Sequence, residues 1–278
     1  MPRRTQKLRP LAAELFLAIA AALFLLPVAL IFLTAFKPDS EILRFTTPWP
    51  VTPTLRHFRE ILSSPDEIPI GRWLINSLLV SSLTTALVVS VDALAAYALS
   101  RLNLPGKKTA FAAIIATMMV PGQILLVPMY LILNRLGWID TLTALIVPPA
   151  GNAFGVFLLH QFFKAVPRDL EEAAAIDGCS LWGIFRHVIL PNSWHALAAL
   201  AIFTFIGSWN DFLGPLVYLD SVDHYTLPVG IAMFQSSYSN EYGLTLAASV
   251  ICTLPVLAVF LLFQRQLVAG FALSGIKD

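Results

Sequence analysis

The stretch from residue 167 to residue 191, PRDLEEAAAIDGCSLWGIFRHVILP, decides how the rest of the chain is interpreted. Pro167 suits the first turn of a helix, and the three carboxylates that follow it closely complement the positive end of a helix dipole. Gly178 can take the left-handed conformation that commonly ends a helix. The sequence therefore predicts a short helix from Arg168 to Asp177, followed by a tight glycine turn.

A second short helix is predicted after this turn. Leu181, Phe185 and Val188 recur at the spacing i, i+4 and i+7, which places them in one apolar stripe. Pro191 is expected to end the helix. Two short helices joined in this way are shaped to dock into a groove. Because the first helix is acidic, an anionic lipid surface would repel it, so a protein partner is favoured over the membrane surface.

The chain around this segment is far more apolar than a soluble protein. Of its 278 residues, 57% are hydrophobic and 13% are charged, and the mean hydropathy is +0.75, whereas soluble domains have about 45–50% apolar and about 25% charged residues. Six apolar stretches are long enough to cross a bilayer, so we predict an all-α membrane protein with six transmembrane helices. The stretches are Leu15–Phe36, Trp73–Leu99, Thr109–Leu133, Leu142–Phe163, Ala196–Leu219 and Leu244–Phe263.

The distribution of Lys and Arg predicts the orientation of these helices. With six spans, 12 of the 18 basic residues lie on the same side as the termini and 6 lie on the opposite side. Because cytoplasmic segments carry the excess of basic residues, both termini and residues 167–191 are predicted to be cytoplasmic. Residues 37–72 and 221–243 are predicted to be external.

Catalysis by this chain is not expected. The sequence contains no metal-ligand cluster, no nucleophile beside a base and no complete phosphate-binding loop. A formal net charge of +1 creates no field that would attract nucleic acid. We therefore expect no enzyme activity, no metal or cofactor on this chain, and no nucleic-acid partner.

Several residues within the predicted spans point to departures from straight, isolated helices. Gly151 and Gly155 have the small-xxx-small spacing that lets two helices approach closely, here within one chain. Asp92 is interpreted either as a hydrogen-bond partner of a neighbouring helix or subunit, or as part of transport. Kinks or breaks are predicted at prolines, with ordinary proline use in membrane helices as the alternative. The prolines are Pro27, Pro121, Pro128, Pro148, Pro149, Pro215 and Pro255.

The segment quoted first resembles the EAA loop of ABC importer permeases. That loop has the pattern EAA, three residues, G, nine residues, I-x-L-P, and the one departure here is Val188 in place of isoleucine. The stretches MMVPGQILLVPMY, SWNDFLGPLVYL, YTLPVGIAMF and FQRQLVAGFALSGIKD are similar to the carbohydrate-uptake, maltose-transporter-like branch of these permeases. The matching loop positions are Glu172, Ala173, Ala174, Gly178, Val188, Leu190 and Pro191.

The resemblance implies a type I ABC importer (MetI-like) permease fold in a bacterial or archaeal cytoplasmic membrane. It implies a heterodimer with a second permease subunit, a dimer of ABC ATPase subunits that bind ATP and Mg, and an extracytoplasmic solute-binding protein. The chain would be a non-catalytic permease subunit, surrounded by lipid, for a mono- or oligosaccharide. A permease for glycerol-3-phosphate or a polyol is an alternative, and so is an ion-coupled secondary transporter, although no symmetry between the halves is evident.

The same resemblance implies a division of the chain and a set of coupling residues. Residues 1–72 would hold the N-terminus, the first span and an external loop; residues 73–264 would form the permease core, with the EAA loop at 165–193; and residues 265–278 would form a cytoplasmic tail between the ATPase subunits. Glu172 would pair with a basic residue of the ATPase, and the apolar stripe would fill a cleft in it. The implied coupling residues are Glu172, Ala173, Ala174, Asp177, Gly178, Leu181, Phe185, Val188, Leu190 and Pro191.

Solute binding is predicted on the fifth span. Sugars are held by planar polar groups together with aromatic rings, and Trp209, Asn210 and Asp211 lie together with Tyr218 two turns further on. Packing of the outer end of the helix is the alternative interpretation of these residues. Asn76, at the opening of the second span, is a further candidate for the solute pathway.

Overall fold

The computed structural model of the protein describes residues 11–44, 47–63, 68–237 and 241–274. The basic residues before residue 11 and the end of the predicted tail after residue 274 lie outside the described residues. All regular structure in the described ranges is helical, which confirms the all-α prediction. The α-helices are α1 (Leu11–Ala35), α2 (Asp39–Arg44), α3 (Arg56–Ser63), α4 (Ile70–Arg101), α5 (Lys107–Thr117), α6 (Leu126–Arg135), α7 (Thr143–Ile146), α8 (Ala153–Ala165), α9 (Arg168–Ile176), α10 (Leu181–Ile184), α11 (Leu190–Asn192), α12 (Trp194–Trp209), α13 (Leu213–Tyr218), α14 (Leu227–Ser237) and α15 (Tyr242–Ser274).

In the described part of the chain, three helices are apolar and long enough to cross a membrane without a break, and three bent pairs of helices have the same character. The unbroken helices are Ala13–Ala35, Ile70–Arg101 and Tyr242–Phe263. The bent pairs are Lys107–Thr117 with Gly122–Arg135 at 91°, Thr143–Ala150 with Ala153–Ala165 at 42°, and Leu181–Asn192 with Trp194–Trp209 at 78°. Six spans result if each bent pair is one span, so the count of six and the orientation stay predictions.

The prolines interrupt some helices and not others. Pro121 lies in the break between α5 and the next helical turn, and Pro148 and Pro149 begin a 3-10 turn between α7 and α8. Pro27 and Pro255 instead lie inside the continuous helices α1 and α15. A single missing backbone donor therefore does not break a long apolar helix, and the structure has no break at these two positions.

The fifth predicted span is not one continuous helix. α12 ends at Trp209 and α13 begins at Leu213, so residues 210–212 lie in a break. A kink or break was predicted in this span at Pro215, and the structure places the break three to five residues earlier. The Asp211 carboxylate takes over part of the backbone hydrogen bonding there, since its Oδ1 accepts from the backbone N of Gly214 at 3.3 Å.

The chain divides into two compact units, which are described separately. The smaller unit comprises residues 1–68 and 233–253. Within it, the Glu41 carboxylate accepts hydrogen bonds from the backbone N of Val51 and of Thr52, each at 3.0 Å. This carboxylate therefore fixes the segment between α2 and α3 to the first turn of α2.

The larger unit, residues 69–232 and 254–278, is built around α4. Helices α8 and α12 both pack along α4, and the segment from α10 to α11 closes one end of the same core. The core is therefore shared between membrane helices and the EAA-like segment. Its buried side chains are Ala93, Ala96, Tyr97, Leu159, Phe163, Val166, Ile184, Phe185, Ile189, Ala196, Leu197 and Leu200.

The close approach predicted from the glycine spacing occurs at Gly155. A Cβ atom at this position would lie 2.0 Å from Oδ2 of Asp92 and 3.1 Å from Cδ1 of Leu200, whereas nothing lies within 4 Å of a Cβ at Gly151. Asp92 is fully buried, and its Oδ1 accepts a hydrogen bond from the backbone N of Asn152 at 3.0 Å. Asp92 therefore bonds a neighbouring helix of the same chain, which was one of the two interpretations of this residue.

We expect Gly155→Ala to lower the free energy of unfolding by about 1–3 kcal/mol, because the added methyl group would push the Asp92 carboxylate off the backbone of α8. Gly151→Ala is the matched control, since the space around that position is open. The measurement is the temperature at which half of the purified protein loses monodispersity in detergent. Equal midpoints for the two variants would contradict the close approach.

Candidate functional site

The first half of the EAA-like segment folds as the sequence predicts. α9 spans Arg168–Ile176, and Gly178 has φ +83°, the left-handed conformation expected after it. The backbone N of Gly178 donates to the carbonyl of Ala175 at 3.1 Å, and the backbone N of Cys179 donates to the carbonyl of Ala174 at 2.9 Å. These bonds satisfy the last carbonyls of α9, so the turn ends the helix with its backbone paired.

The second half is less regular than predicted. Ser180 caps α10 by accepting a hydrogen bond from the backbone N of Gly183 at 3.2 Å, and a π-helical turn over Phe185–Ile189 follows. Pro191 has no backbone N–H to donate to the carbonyl four residues earlier, which favours a wider turn before it. The chain continues in α11 to Asn192, so the prediction that Pro191 ends this helix is wrong by one residue.

The predicted apolar stripe divides between the core and the surface. Phe185, which was expected to fill a cleft in a partner, is 4% exposed and packs on Tyr97 with ring centroids 5.0 Å apart. Val188 and Leu190 are half-buried against the same core. Leu181 stays at the surface with 61% exposure, although its carbonyl accepts a hydrogen bond from the Tyr97 hydroxyl at 3.1 Å.

The outward side of the segment carries acidic, small and apolar side chains. Glu172, Ala173 and Asp177 are exposed, Ile176 is 87% exposed, and Trp182 beside Leu181 is 59% exposed. Large apolar side chains at such exposure, next to carboxylates, are typical of a surface that contacts another protein. We call the whole unit, Arg168–Asn192, the α9–α11 hairpin.

A buried arginine ties this hairpin to the membrane helices. Nη1 of Arg101, the last residue of α4, lies 3.0 Å from Oε1 of Glu171, and the side chains are 4% and 17% exposed. Nη2 of Arg101 donates to the carbonyl of Phe163 and, at 2.5 Å, to that of Val166. Sequence reasoning missed this contact because Arg101 was counted only as a cytoplasmic charge. An arginine that ends a long apolar span, with carboxylates in the short helix predicted after Pro167, was the available signal.

Two adjoining cavities, of about 450 and about 330 Å³, lie where the broken helices meet in the larger unit. Both are lined by Leu145, Pro149 and Asp211. The larger is also lined by Gln123 and Tyr218, among others. The structure therefore places Asp211 and Tyr218, of the predicted pathway residues, at these cavities.

The other three predicted pathway residues do not line these two cavities and instead make contacts within the protein. Trp209 is 1% exposed and stacks on Phe205 with centroids 6.0 Å apart. The side-chain amide of Asn210 donates to the carbonyl of Ile206 at 3.0 Å, which caps α12. The Asn76 amide donates to the carbonyls of residues 223 and 225 at 2.9 and 3.0 Å, so it fixes the loop before α14.

Thr84 is a lining residue that the sequence did not reveal. It is 2% exposed, it lines the smaller cavity, and its Oγ1 has no hydrogen-bond partner among the described residues. A buried hydroxyl without a partner costs free energy. Threonine is ordinary in apolar helices, and its position in the sequence carries no signal.

A carboxylate on the loop after α6 organises the segment before α14. Asp140 has φ 59°, and its Oδ1 accepts hydrogen bonds from the backbone N of Asp220 at 3.0 Å and of Ser221 at 2.8 Å. The Ser221 hydroxyl donates to Oδ2, and Nδ1 of His224 lies 3.2 Å from Oδ1. Burial tends to raise the pKa of Asp140, but the bonds from Ser221, Asp220 and His224 outweigh it and lower this pKa well below 3.8. Since the carboxylate stays ionised, its contribution is complete at neutral pH and is lost only as the pH falls through the lowered pKa.

Comparison with known proteins identifies relatives over the whole chain. Residues 93–272 match the family described as binding-protein-dependent transport system inner membrane component. The chain is 33% identical to the arabinooligosaccharides transport system permease protein AraQ of Halalkalibacterium halodurans, with 100% of both chains covered. It is 34% identical to the sulfoquinovosyl glycerol transport system permease protein SmoH of Agrobacterium fabrum, covering 93% of this chain and 92% of that one.

The structure is also similar to a solved one. The crystal structure of a bacterial ABC transporter involved in the import of the acidic polysaccharide alginate contains a chain that matches with a TM-score of 0.82 and 21% sequence identity, covering 95% of this chain and 98% of that one. This likeness confirms the predicted permease fold.

We expect Asp140→Asn to loosen the segment before α14, because a neutral amide replaces an ionised carboxylate that accepts several hydrogen bonds. Hydrogen–deuterium exchange at the backbone N of Asp220 and Ser221 should become about tenfold faster or more, which corresponds to losing one bond to a charged group. Asp220→Asn is the control, since only the backbone of Asp220 takes part in these bonds. Unchanged exchange in Asp140→Asn would show that the carboxylate does not hold the segment.

Proposed function

The chain belongs to the family of binding-protein-dependent transport system inner membrane components, and we propose that it is the membrane-spanning permease subunit of an ATP-driven importer for sugars or oligosaccharides. The names of its full-length relatives support a glycoside or oligosaccharide as the solute. A glycerol-3-phosphate or polyol importer is the second candidate, since one relative is named for a glycerol glycoside. Membership of this family argues against an ion-coupled secondary transporter.

The proposed assembly contains four further subunits or partners. A second permease subunit completes the pathway, a dimer of ABC ATPase subunits binds ATP and Mg on the cytoplasmic side, and an extracytoplasmic protein delivers the solute. This chain is non-catalytic, binds no cofactor, and lies in a bacterial or archaeal cytoplasmic membrane with both termini inside. The exposed apolar side chains of α1 face lipid.

The observation that carries the proposal is the α9–α11 hairpin, which is fixed on the core on one side and exposes acidic and apolar residues on the other. Its outward side docks into the ATPase, with Glu172 paired to a basic residue and Leu181 and Trp182 in the cleft. Because Ala173 is small, it lets the backbone of the hairpin approach the backbone of the ATPase. Phe185 supports the hairpin from inside the chain and does not enter the cleft, because it is buried in the core.

The proposed pathway for the solute runs along the cavities at Asp211. A carboxylate accepts hydrogen bonds from neighbouring sugar hydroxyls, and the Thr84 hydroxyl both donates and accepts. Tyr218 lines the larger cavity and supplies a ring against which a sugar ring packs. The small polar set among apolar residues suits a solute that is released again rather than held tightly.

Two measurements test the proposed function as a whole. Purification of the tagged chain from its native membrane should recover a second permease and an ATPase. Proteoliposomes of that complex, supplied with the solute-binding protein, should take up a labelled arabinooligosaccharide, glycoside or polyol only with ATP inside. Uptake by the isolated chain, driven by an ion gradient, would overturn the proposal.

We expect Gly178→Asp to uncouple ATP hydrolysis from transport without blocking membrane insertion, because a side chain strains the left-handed turn at φ +83°. Gly183→Ala in the same hairpin is the matched control, since its Cβ would make only ordinary contacts, the nearest at 3.5 Å. The measurement is solute uptake and ATPase activity of the complex in proteoliposomes. Retained uptake in Gly178→Asp would count against docking through this turn.

We expect Asp211→Asn to lower solute uptake about tenfold, because an amide replaces the carboxyl group that both cavities share and offers one acceptor oxygen in place of two. Assembly with the ATPase should be unchanged, since Asp211 lies far along the chain from the hairpin and Asn still accepts a hydrogen bond from the backbone N of Gly214. Asp220→Asn, on the loop outside both cavities, is the control. Normal uptake in Asp211→Asn would exclude this carboxylate from the pathway.

A further inference from the structure

The ends of three helices meet at one guanidinium group. Arg101 ends α4, Phe163 and Val166 lie at the end of α8, and Glu171 lies in the first turn of α9. Nη1 of Arg101 is 3.0 Å from Oε1 of Glu171, while Nη2 donates to both α8-end carbonyls, at 2.5 Å in the case of Val166. One side chain therefore forms an ion pair with the first turn of the hairpin and donates hydrogen bonds to carbonyls at the end of a membrane helix, which have no partner within that helix.

α4 makes a second tie to the hairpin one turn earlier. The Tyr97 hydroxyl donates to the carbonyl of Leu181, at the start of α10. Tyr97 and Arg101 are at positions i and i+4, so they lie on the same face of α4. Both halves of the hairpin are thus bonded to one face of one membrane helix.

The packing of α9 itself is slight. None of its residues is buried, and Ala174 is the α9 residue that packs, partly buried, against the core. A cavity of about 220 Å³ adjoins the ion pair and is lined by Arg101, Glu171 and Ala175, among others. Because apolar contact is small, the ion pair between Arg101 and Glu171 is a main attachment of α9 to the rest of the unit.

The geometry requires arginine. Its planar fork reaches a carboxylate with one nitrogen and two carbonyls with another. Lysine has a single ammonium group and does not reproduce this fork. A conservative change of Arg101 should therefore disturb the attachment although the positive charge is kept.

We propose that Arg101 is a positioning residue for energy coupling: through Glu171 and the end of α8, it makes the α9–α11 hairpin move with α4 and α8 as one body. Force applied to the outward side of α9 then reaches the membrane helices instead of being lost in rotation of α9. This inference rests on the proposed function, in which an ATPase applies that force.

The test uses the complete complex of both permeases and the ATPase dimer in proteoliposomes, with the solute-binding protein. The variants are Arg101→Lys, Glu171→Gln, and the double exchange Arg101→Glu with Glu171→Arg. Lys164→Gln, an exposed cation in the last turn of α8, is the matched control. Uptake and ATP hydrolysis are measured per assembled complex, and their ratio is the readout, which a loss of stability alone would not change.

We expect Arg101→Lys and Glu171→Gln to lower the uptake per ATP about tenfold, while ATP hydrolysis per complex stays close to the unchanged level. The double exchange should recover part of the ratio, because it restores the ion pair but not the bonds to α8. Lys164→Gln should behave like the unchanged complex.

Two results would overturn the inference. The first is an unchanged ratio in both single variants, whether uptake and hydrolysis are both kept or both fall equally. The second is failure of both single variants to assemble, which would assign the pair to folding alone. If the unchanged complex shows no ATP-dependent uptake, the proposed function itself has failed, and this outcome is distinct because it appears before any substitution is made.

Discussion

Backbone groups in a hydrocarbon layer have no water to bond, and most of this structure follows from that constraint. Helices satisfy it along their length, and side chains satisfy it where helices stop. Asp92 accepts from the backbone of Asn152 at the start of α8, and Arg101 donates to the carbonyls at its end. The Ser77 hydroxyl accepts from the backbone N of Leu227 at 2.7 Å, at the start of α14. Asp92, Arg101 and Ser77 therefore pair backbone groups that the helix ends leave without a partner in their own helix.

The same pairing of backbone groups by side chains explains where the candidate sites lie. A broken helix leaves irregular backbone and space beside it, and such backbone is tolerated only where it is buried in protein or lines a cavity. Asp211 pairs the turn before α13 and also lines both cavities. The Arg101 side chain donates to the carbonyls at the end of α8 and also forms an ion pair with Glu171. Asp211 and Arg101 thus each bond backbone at a helix end and also lie at a proposed site, Asp211 on the solute pathway and Arg101 at the coupling hairpin.

The sequence predicted what depends on composition and on local backbone rules. The all-helical character, the helix that begins at Arg168 and the left-handed Gly178 follow from hydropathy, charge and backbone freedom, and the structure confirms them. The break in the fifth span was predicted at Pro215 but lies at residues 210–212, where the side chains of Asn210 and Asp211 bond the backbone at the two helix ends. The burial of Phe185 was missed because periodicity identifies an apolar stripe but does not say whether the stripe contacts the core of the same chain or a partner protein. The Arg101 contact joins residues 70 positions apart in the chain, so the arginine at the end of an apolar span signals that a partner exists but not which carboxylate it is.

The approach of Gly155 to Asp92 has a consequence for how the chain can change over evolutionary time. Because a methyl group at position 155 would occupy the space of the acid's second oxygen, the two positions share one volume. A residue larger than glycine fits at position 155 only when a residue smaller than aspartate already stands at position 92. That smaller residue can no longer bond the start of α8. Divergent sequences are expected to exchange these two positions as a pair, with the acid inherited only alongside glycine.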